Sequence, residues 1–207
     1  MKTEIIKIDE RNPDKDALKK AAGIIKRGGL VAFPTETVYG LAADYRNKKA
    51  IEKLCMVKKR PEGKPFTVHI SSPSELKKLS CKVSHFSKSL IKRFWPGPLT
   101  LIFKAESGKK IGIRMPRNKV ALDFISACKS SIVAPSANIS GNSPPRRAED
   151  VLADLDGKIE LLLDAGQTEV GTESTVVDIS EFPYRIVRIG AIDSGRIADV
   201  GRELQHK

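Results

Sequence analysis

The 207 residues of this chain make one large domain or two small ones, and a globular chain of this length buries roughly 70% of the surface that it exposes when unfolded. Hydrophobic residues at 40%, charged residues at 30% and aromatic residues at 5% exclude a disordered or fibrous protein. The net charge of +12 favours polyanionic partners such as nucleotides, RNA or acidic surfaces, without choosing among them.

The hydrophobic pattern alternates between strands and helices along the chain. The predicted strands cover residues 5–8, 30–33, 66–70, 99–103, 111–114, 132–134, 159–163, 175–179 and 185–189. The predicted helices cover residues 17–27, 49–57, 74–79, 84–94, 120–127 and 148–154. Several connections are too short for crossover helices, so the sequence predicts an α/β fold with a mixed sheet.

No stretch has the composition of an interdomain linker, so we expect a single domain over residues 1–207. The last residues, 201–207, are predicted to be a frayed polar end that the fold does not need. No apolar run approaches the ~18 residues of a membrane-spanning helix, and the three cysteines form no CxxC pair. We therefore expect a cytoplasmic protein without a structural zinc site or disulfides, and no membrane partner.

Two polar loops follow predicted elements in the first half of the chain. PTETVYGLAAD, at 34–44, comes directly after a buried strand, where Thr35 or Thr37 either caps a following helix or faces a ligand. KKRPEGKPFTVHI, at 58–70, carries cations at the end of a helix. They either complement the helix dipole or form a phosphate cradle whose path the prolines fix. His69, in the strand FTVHI, is either a core residue or a functional one.

Three further segments in the second half of the chain carry candidate binding groups. Arg114 and Arg188 lie among apolar residues of predicted strands, where an inward-pointing guanidinium must be paired or bind a ligand. VAPSANISGNSPPRR, at 133–147, is either a Ser- and Asn-rich surface turn or a phosphate-binding nest. The motifs GxxxxGK[ST], GxGxxG and GxSxG are absent, so a P-loop enzyme, a Rossmann dehydrogenase and an α/β-hydrolase lack support.

Six blocks in the same order and spacing resemble the YrdC-type threonylcarbamoyl-AMP synthase family, in its short, single-domain form. The blocks are GGLVAFPTETVYGLAAD, the KxR loop with KPFTVHI, PGPLTLIF, IGIRMP, VAPSANISG, and ESTVVDIS with RIVRIG. The resemblance covers about residues 15–190, so the extra C-terminal domain of longer family members is not expected.

The resemblance implies a twisted, open mixed sheet flanked by helices, with a large basic concave cavity. The implied activity is that of a nucleotidyltransferase. It converts L-threonine, bicarbonate and ATP into threonylcarbamoyl-AMP and pyrophosphate, which serves threonylcarbamoyladenosine modification of tRNA. Magnesium is implied with the ATP, without a dedicated protein-only site. A tRNA-modifying transferase complex is the implied partner, and tRNA or double-stranded RNA is a further candidate.

The resemblance also assigns roles to individual positions. The residues implied to bind L-threonine are Thr35, His69, Arg114, Ala134 and Ser174. The residues implied to bind ATP are Lys58, Arg60, Lys64, Ser136, Asn138, Pro144 and Arg188, with Lys58 and Arg60 as catalytic groups. Two positions depart from the family pattern. Lys110 stands where a small hydroxyl residue is common, and Pro144 stands where a serine is common, with Ser143 as a neighbouring substitute.

Two other functions remain open at this point. An RNA-binding module without catalysis fits the net charge of +12, although few aromatic residues are available for base stacking. A pseudoenzyme or regulatory subunit would keep ligand binding without turnover.

Overall fold

The computed structural model of the protein describes residues 2–61, 63 and 65–205. The strands are β1 (Glu4–Lys7), β2 (Val31–Phe33), β3 (Gly40–Asp44), β4 (Thr67–His69), β5 (Leu99–Lys104), β6 (Lys110–Arg114), β7 (Ile132–Val133), β8 (Leu161–Asp164), β9 (Thr175–Asp178) and β10 (Arg185–Arg188). The helices are α1 (Lys15–Lys26), α2 (Lys48–Lys58), α3 (His85–Phe94), α4 (Lys119–Cys128), α5 (Ala148–Leu155) and α6 (Ser194–Gln205). No helix in this part of the chain is long and apolar enough to cross a bilayer.

The described strands form one sheet in the order β1-β8-β2-β3-β7-β4-β6-β5-β9-β10. Strand pairs β1–β8, β2–β8, β4–β6 and β5–β9 are parallel, and the remaining pairs are antiparallel. The predicted α/β fold with a mixed sheet is therefore confirmed.

Helices cover both faces of the sheet. On one face, α1 and α4 pack together over a cluster that includes Leu18, Ile25, Phe33 and Phe124. On the other face, α2, α3, α5 and α6 bury a second cluster around Leu54, Leu90, Val151 and Ile197. The apolar positions repeat with helical spacing in each helix, so a single face of the helix meets the sheet.

The structure corrects three predictions of secondary structure. Residues 40–44 form β3, which pairs antiparallel with β2 and β7, so Thr35 and Thr37 precede a strand and cap no helix. The helix predicted over 74–79 is the short 3₁₀ turn Pro73–Leu76. Residues 201–205 of the predicted frayed end belong to α6, because Ile197 and Val200 earlier in that helix are buried against the core.

Candidate active site

A cavity of about 150 Å³ lies at one end of the central strands of the sheet. Eight of the sequence-predicted site residues line it: Thr35, Arg60, His69, Arg114, Ala134, Ser136, Ser174 and Arg188. Pockets for drug-sized ligands hold ~300 Å³ or more. This volume is of the size of an amino acid, and the cavity opens to solvent, so a nucleotide can extend beyond it.

The register of three neighbouring strands places the polar groups at the base of the cavity. His69 on β4 is the partner of Arg114 on β6, and Arg114 is the partner of Thr100 on β5. Residues directly opposite each other in a sheet point to the same face. The sheet itself therefore brings His69, Arg114 and Thr100 into one row, although they are distant in the sequence.

A directed chain of hydrogen bonds joins Arg114 to the turn before β3. The Thr35 hydroxyl donates to the carbonyl of Val38 (2.7 Å), which can only accept. The Thr37 hydroxyl must therefore donate to Thr35 Oγ1 (2.9 Å), and Arg114 Nη2 donates to Thr37 Oγ1 (2.8 Å). Since the Thr35 hydroxyl hydrogen is used inside the turn, this residue can offer a ligand its methyl group or the shape of the turn.

Glu36 is the counter-ion of Arg114, and the sequence analysis did not identify it. Its Oε1 lies 2.9 Å from Arg114 Nη2, and the two side chains are 1% and 7% exposed. Within the described residues neither oxygen of this carboxylate accepts a hydrogen bond. A buried guanidinium needs an acidic partner. Nothing in the local sequence distinguishes Glu36 from an acidic residue of a surface turn.

His69 is a neutral imidazole in this site. Burial and the charge of Arg114 lower its pKa to about 3. Nδ1 lies 3.4 Å from the carbonyl of Thr67, which can only accept a hydrogen bond, so Nδ1 carries the hydrogen. Nε2 consequently keeps its lone pair and can accept a hydrogen bond from a ligand.

The cationic residues of the KxR loop have different environments. Arg60 lines the cavity, donates to the carbonyl of Pro65 (3.0 Å) and lies 4.7 Å from the ring centre of Phe66. Lys58 does not line the cavity, because its buried ammonium donates to the carbonyls of Ser136 (2.5 Å) and Asn138 (2.6 Å). Burial and the neighbouring Arg60 lower the pKa of Lys58 to about 8. Lys64 lies outside the described residues.

The side chain of Asn138 stabilises the Ser136–Asn138 turn by hydrogen bonds to the backbone. The buried Asn138 amide donates to the carbonyls of Ile139 (3.0 Å) and Asn142 (2.7 Å), and Asn138 does not line the cavity. Only Ser136 of this turn reaches the cavity. Pro144 and Ser143 line a separate groove of about 550 Å³. Lys110 pairs with Asp178 (3.0 Å) and is absent from the lining.

Arg188 closes another side of the cavity. Its Nε and Nη2 donate to the carbonyl of Ser174 (3.2 and 2.9 Å), and its Nη1 donates to Glu173 Oε1 (2.7 Å). The Ser174 hydroxyl lies 2.8 Å from the hydroxyl of Thr100. Glu173 and Thr100 also line the cavity, and neither was identified from the sequence. Within the described residues, no group of three or more His, Cys, Asp or Glu could hold a metal ion.

A family profile named for Sua5, YciO and YrdC, and described as "Telomere recombination", matches residues 23–190. The threonylcarbamoyl-AMP synthase of Pyrococcus abyssi is 40% identical over 98% of this chain and 62% of that protein. The synthase of Bacillus subtilis is 39% identical over 93% of this chain and 58% of that protein. This chain thus spans about 60% of the length of these relatives.

The fold is also similar to that of solved structures. The crystal structure of P. abyssi Sua5 complexed with L-threonine has a TM-score of 0.91 and 40% identity to this chain. The match covers 96% of this chain and 61% of that protein. The family profile, which matches residues 23–190, spans every segment that lines the cavity.

Proposed function

This chain belongs to the Sua5/YciO/YrdC family, as the sequence blocks predicted, and we propose that it is a threonylcarbamoyl-AMP synthase. The observation that carries the proposal is the convergence of three arginines on an amino-acid-sized cavity: Arg60, Arg114 and Arg188. The two substrates to be joined, a carbamate and a triphosphate, are both anionic. Charge neutralisation and positioning can therefore supply most of the catalysis without a protein nucleophile.

The threonine subsite lies at the base of the cavity. Arg114 binds the carboxylate of threonine, because its planar guanidinium is buried, oriented by Thr37 and open to the cavity. His69 Nε2 accepts a hydrogen bond, and Thr35, Ala134 and Ser174 shape the remaining walls. The amine of threonine combines with bicarbonate to give the carbamate, with loss of water.

The ATP subsite extends from the cavity mouth. Arg60 and Arg188 bind phosphate oxygens, and Ser136 faces them from its turn. A carbamate oxygen forms a bond to the α-phosphorus, and the bond to the departing pyrophosphate breaks. Lys58 and Asn138 support this site by holding the turn. Four residues stay predictions as ATP contacts: Lys58, which also stays a predicted catalytic group, Lys64, Asn138 and Pro144.

Magnesium fits this arrangement as a companion of ATP. Mg²⁺ usually keeps several waters and is bound through substrate phosphates. The described residues hold no cluster of metal-binding side chains, so the phosphates of ATP and water would coordinate the ion. When bound, the ion would neutralise charge on the phosphates.

The adenylate product is a reactive group donor. We propose that it serves threonylcarbamoyladenosine modification of tRNA through a transferase complex in the cytoplasm, and that the net charge of +12 assists contact with RNA. The alternative of an RNA-binding module without catalysis is not favoured, because the similarity extends to named synthases over nearly the whole chain.

Pyrophosphate release tests the proposal directly. The protein is incubated with ATP and Mg²⁺ while L-threonine and bicarbonate are each supplied or withheld, and threonylcarbamoyl-AMP is detected by mass spectrometry. We expect release that requires both co-substrates. Release without threonine, or none from folded protein, would contradict the proposal.

Two variants connect this activity to the site. Arg60→Gln removes a cavity cation and should abolish turnover while the protein stays folded. Lys59→Gln removes the same charge from the exposed neighbouring position and should keep the wild-type rate. A wild-type rate in Arg60→Gln would remove Arg60 from the phosphate subsite.

A further inference from the structure

Glu173 is the one acidic residue among the described residues that line the cavity. Such a carboxylate is unexpected in a site for two anionic substrates, because it repels both of them. It lies on the side of the cavity where Arg188 also lies, and the two side chains form an ion pair of 2.7 Å. The function of this carboxylate must therefore be sought in its relation to Arg188.

Arg188 does not depend on Glu173 for its position. Its Nε and Nη2 both donate to the carbonyl of Ser174, so the guanidinium plane is already fixed by the backbone. Glu173 occupies only Nη1. Removing the carboxylate would thus free a hydrogen-bond donor without releasing the arginine.

The backbone of Glu173 is fixed, whereas its side chain can turn away. Its carbonyl accepts from the amide of Ala191 (3.0 Å), and a Cβ on Gly190 would lie 2.2 Å from the same oxygen. The side chains of Arg188 and Glu173 are 41% and 35% exposed. Rotation of the carboxylate into solvent therefore requires no change of the main chain.

The ion pair of Arg114 with Glu36 is buried, unlike that of Arg188 with Glu173. Glu36 and Arg114 are 1% and 7% exposed, so separating them would leave a charge buried without a partner. Half-exposed ion pairs are weak, contributing about 0.2–1 kcal/mol. Of the two pairs, the one with Glu173 can open at little cost.

We propose that Glu173 is a displaceable internal counter-ion of Arg188. Without ligand, the Glu173 carboxylate occupies the place of an ATP phosphate beside Arg188. The phosphate displaces the carboxylate, which returns when pyrophosphate leaves. The proposal rests on the proposed function, which supplies the phosphate ligand. It makes Glu173 a residue that sets the affinity for anionic ligands and keeps the products from binding too tightly.

The test measures by calorimetry how tightly the wild type and its variants bind two probes, inorganic pyrophosphate and ATP with Mg²⁺. We expect Glu173→Gln to bind both probes about 1.5- to 5-fold more tightly than the wild type, which is the fold-change that the small free energy of an exposed pair allows. Glu203→Gln is the matched control, because it removes the same charge and also breaks an arginine pair, with Arg93 at 2.8 Å on α3. Its affinities should equal those of the wild type.

A double-variant cycle separates pairing from general repulsion. In an Arg188→Gln background, the tightening produced by Glu173→Gln should fall to less than half on a logarithmic scale. Equal tightening in both backgrounds, or unchanged or weaker binding in Glu173→Gln, overturns the inference while the wild type still binds its probes. If the wild type binds neither probe, the proposed nucleotide site fails as well.

Discussion

The ammonium of Lys58 donates to two backbone carbonyls, and Lys58 is not among the residues that line the cavity. It holds the turn from which Ser136 reaches the cavity. A cation two positions before Arg60 is naturally interpreted as a second phosphate ligand. In the structure Lys58 supports the turn and is 2% exposed, with a pKa lowered to about 8 by burial and by Arg60, and its role as a phosphate ligand stays a prediction.

This pKa predicts a pH-dependent stability for Lys58. Between pH ~8 and ~10.5 the unfolded state keeps a proton that the folded state has lost, so the contribution of Lys58 to stability rises with pH in that window. The stability difference between the wild type and Lys58→Met should therefore increase by up to ~1.4 kcal/mol per pH unit. Urea unfolding from pH 7 to pH 10 measures it. A constant difference would show that the folded pKa is not lowered.

The buried pair of Glu36 and Arg114 gives a second prediction for individual residues. Arg114→Gln should lose threonine binding and about 3–5 kcal/mol of stability, because it leaves the Glu36 carboxylate buried without a counter-ion. The double variant Glu36→Gln, Arg114→Gln removes both charges and should recover most of the stability but not the binding. Urea unfolding and threonine calorimetry measure the two effects. Wild-type threonine affinity in the double variant would exclude Arg114 as the carboxylate ligand.

The sequence identified arginines of the site more readily than its acids. Arg114 stands out because a charge at the buried end of an apolar strand must have a partner. Arg188 has the same apolar neighbours in the sequence, but its strand β10 is largely exposed, so burial does not require a partner for it. Glu36 and Glu173 lie in polar turns, where a carboxylate is unremarkable, so nothing in the local pattern separates them from surface residues. The orientation of the Lys58 side chain depends on the carbonyls of a turn about 80 residues later in the chain, so the local sequence does not predict it.

Elements with a clear hydrophobic period were predicted well, and elements defined by distant partners were not. GLAAD lacks the alternation of a half-buried strand, yet it forms β3 because β2 and β7 pair with it on both sides. In α6 the sequence is polar at its end, and only the packing of Ile197 and Val200 against the core distinguishes it from a frayed tail.

The close approach of Gly190, which follows β10, to the segment before β9 predicts the effect of adding a single methyl group. In Gly190→Ala the new Cβ would lie 2.2 Å from the carbonyl oxygen of Glu173 and 2.7 Å from the Ser174 carbonyl, so β10 must shift. We expect a loss of about 1–3 kcal/mol in stability and weaker ATP binding, because Arg188 moves with the strand.

Thermal unfolding and ATP calorimetry test this variant. Gly23→Ala in α1 is the control, since its Cβ meets only the end of the Arg27 side chain, at 3.4 Å. That change should stabilise the protein by about 0.5–1 kcal/mol and leave ATP binding unchanged. Wild-type stability of Gly190→Ala would mean that the contact around Gly190 is looser than the structure indicates.

At the scale of the whole molecule, the sheet order assembles the site. β6 lies between β4 and β5, and β5 in turn pairs with β9, so residues from the two halves of the chain meet at one cavity. Local periodicity predicts that these strands exist, but their order depends on pairings between distant segments. The family resemblance therefore supplied the expectation that they form one site.

The charge of the whole molecule predicts different salt dependences for the two substrates. The net charge of +12 and the cavity arginines attract the polyanion ATP, whereas threonine is a zwitterion without net charge. Raising the ionic strength from about 0.01 M to about 0.1 M shortens the screening length from ~30 to ~10 Å, which weakens the attraction of distant charges. The dissociation constant of ATP should rise severalfold over this range, and that of threonine should change by less than about twofold. Calorimetry at several salt concentrations measures both. Equal salt dependence for the two ligands would mean that contacts inside the cavity, and not the field of the whole protein, determine how ATP binds.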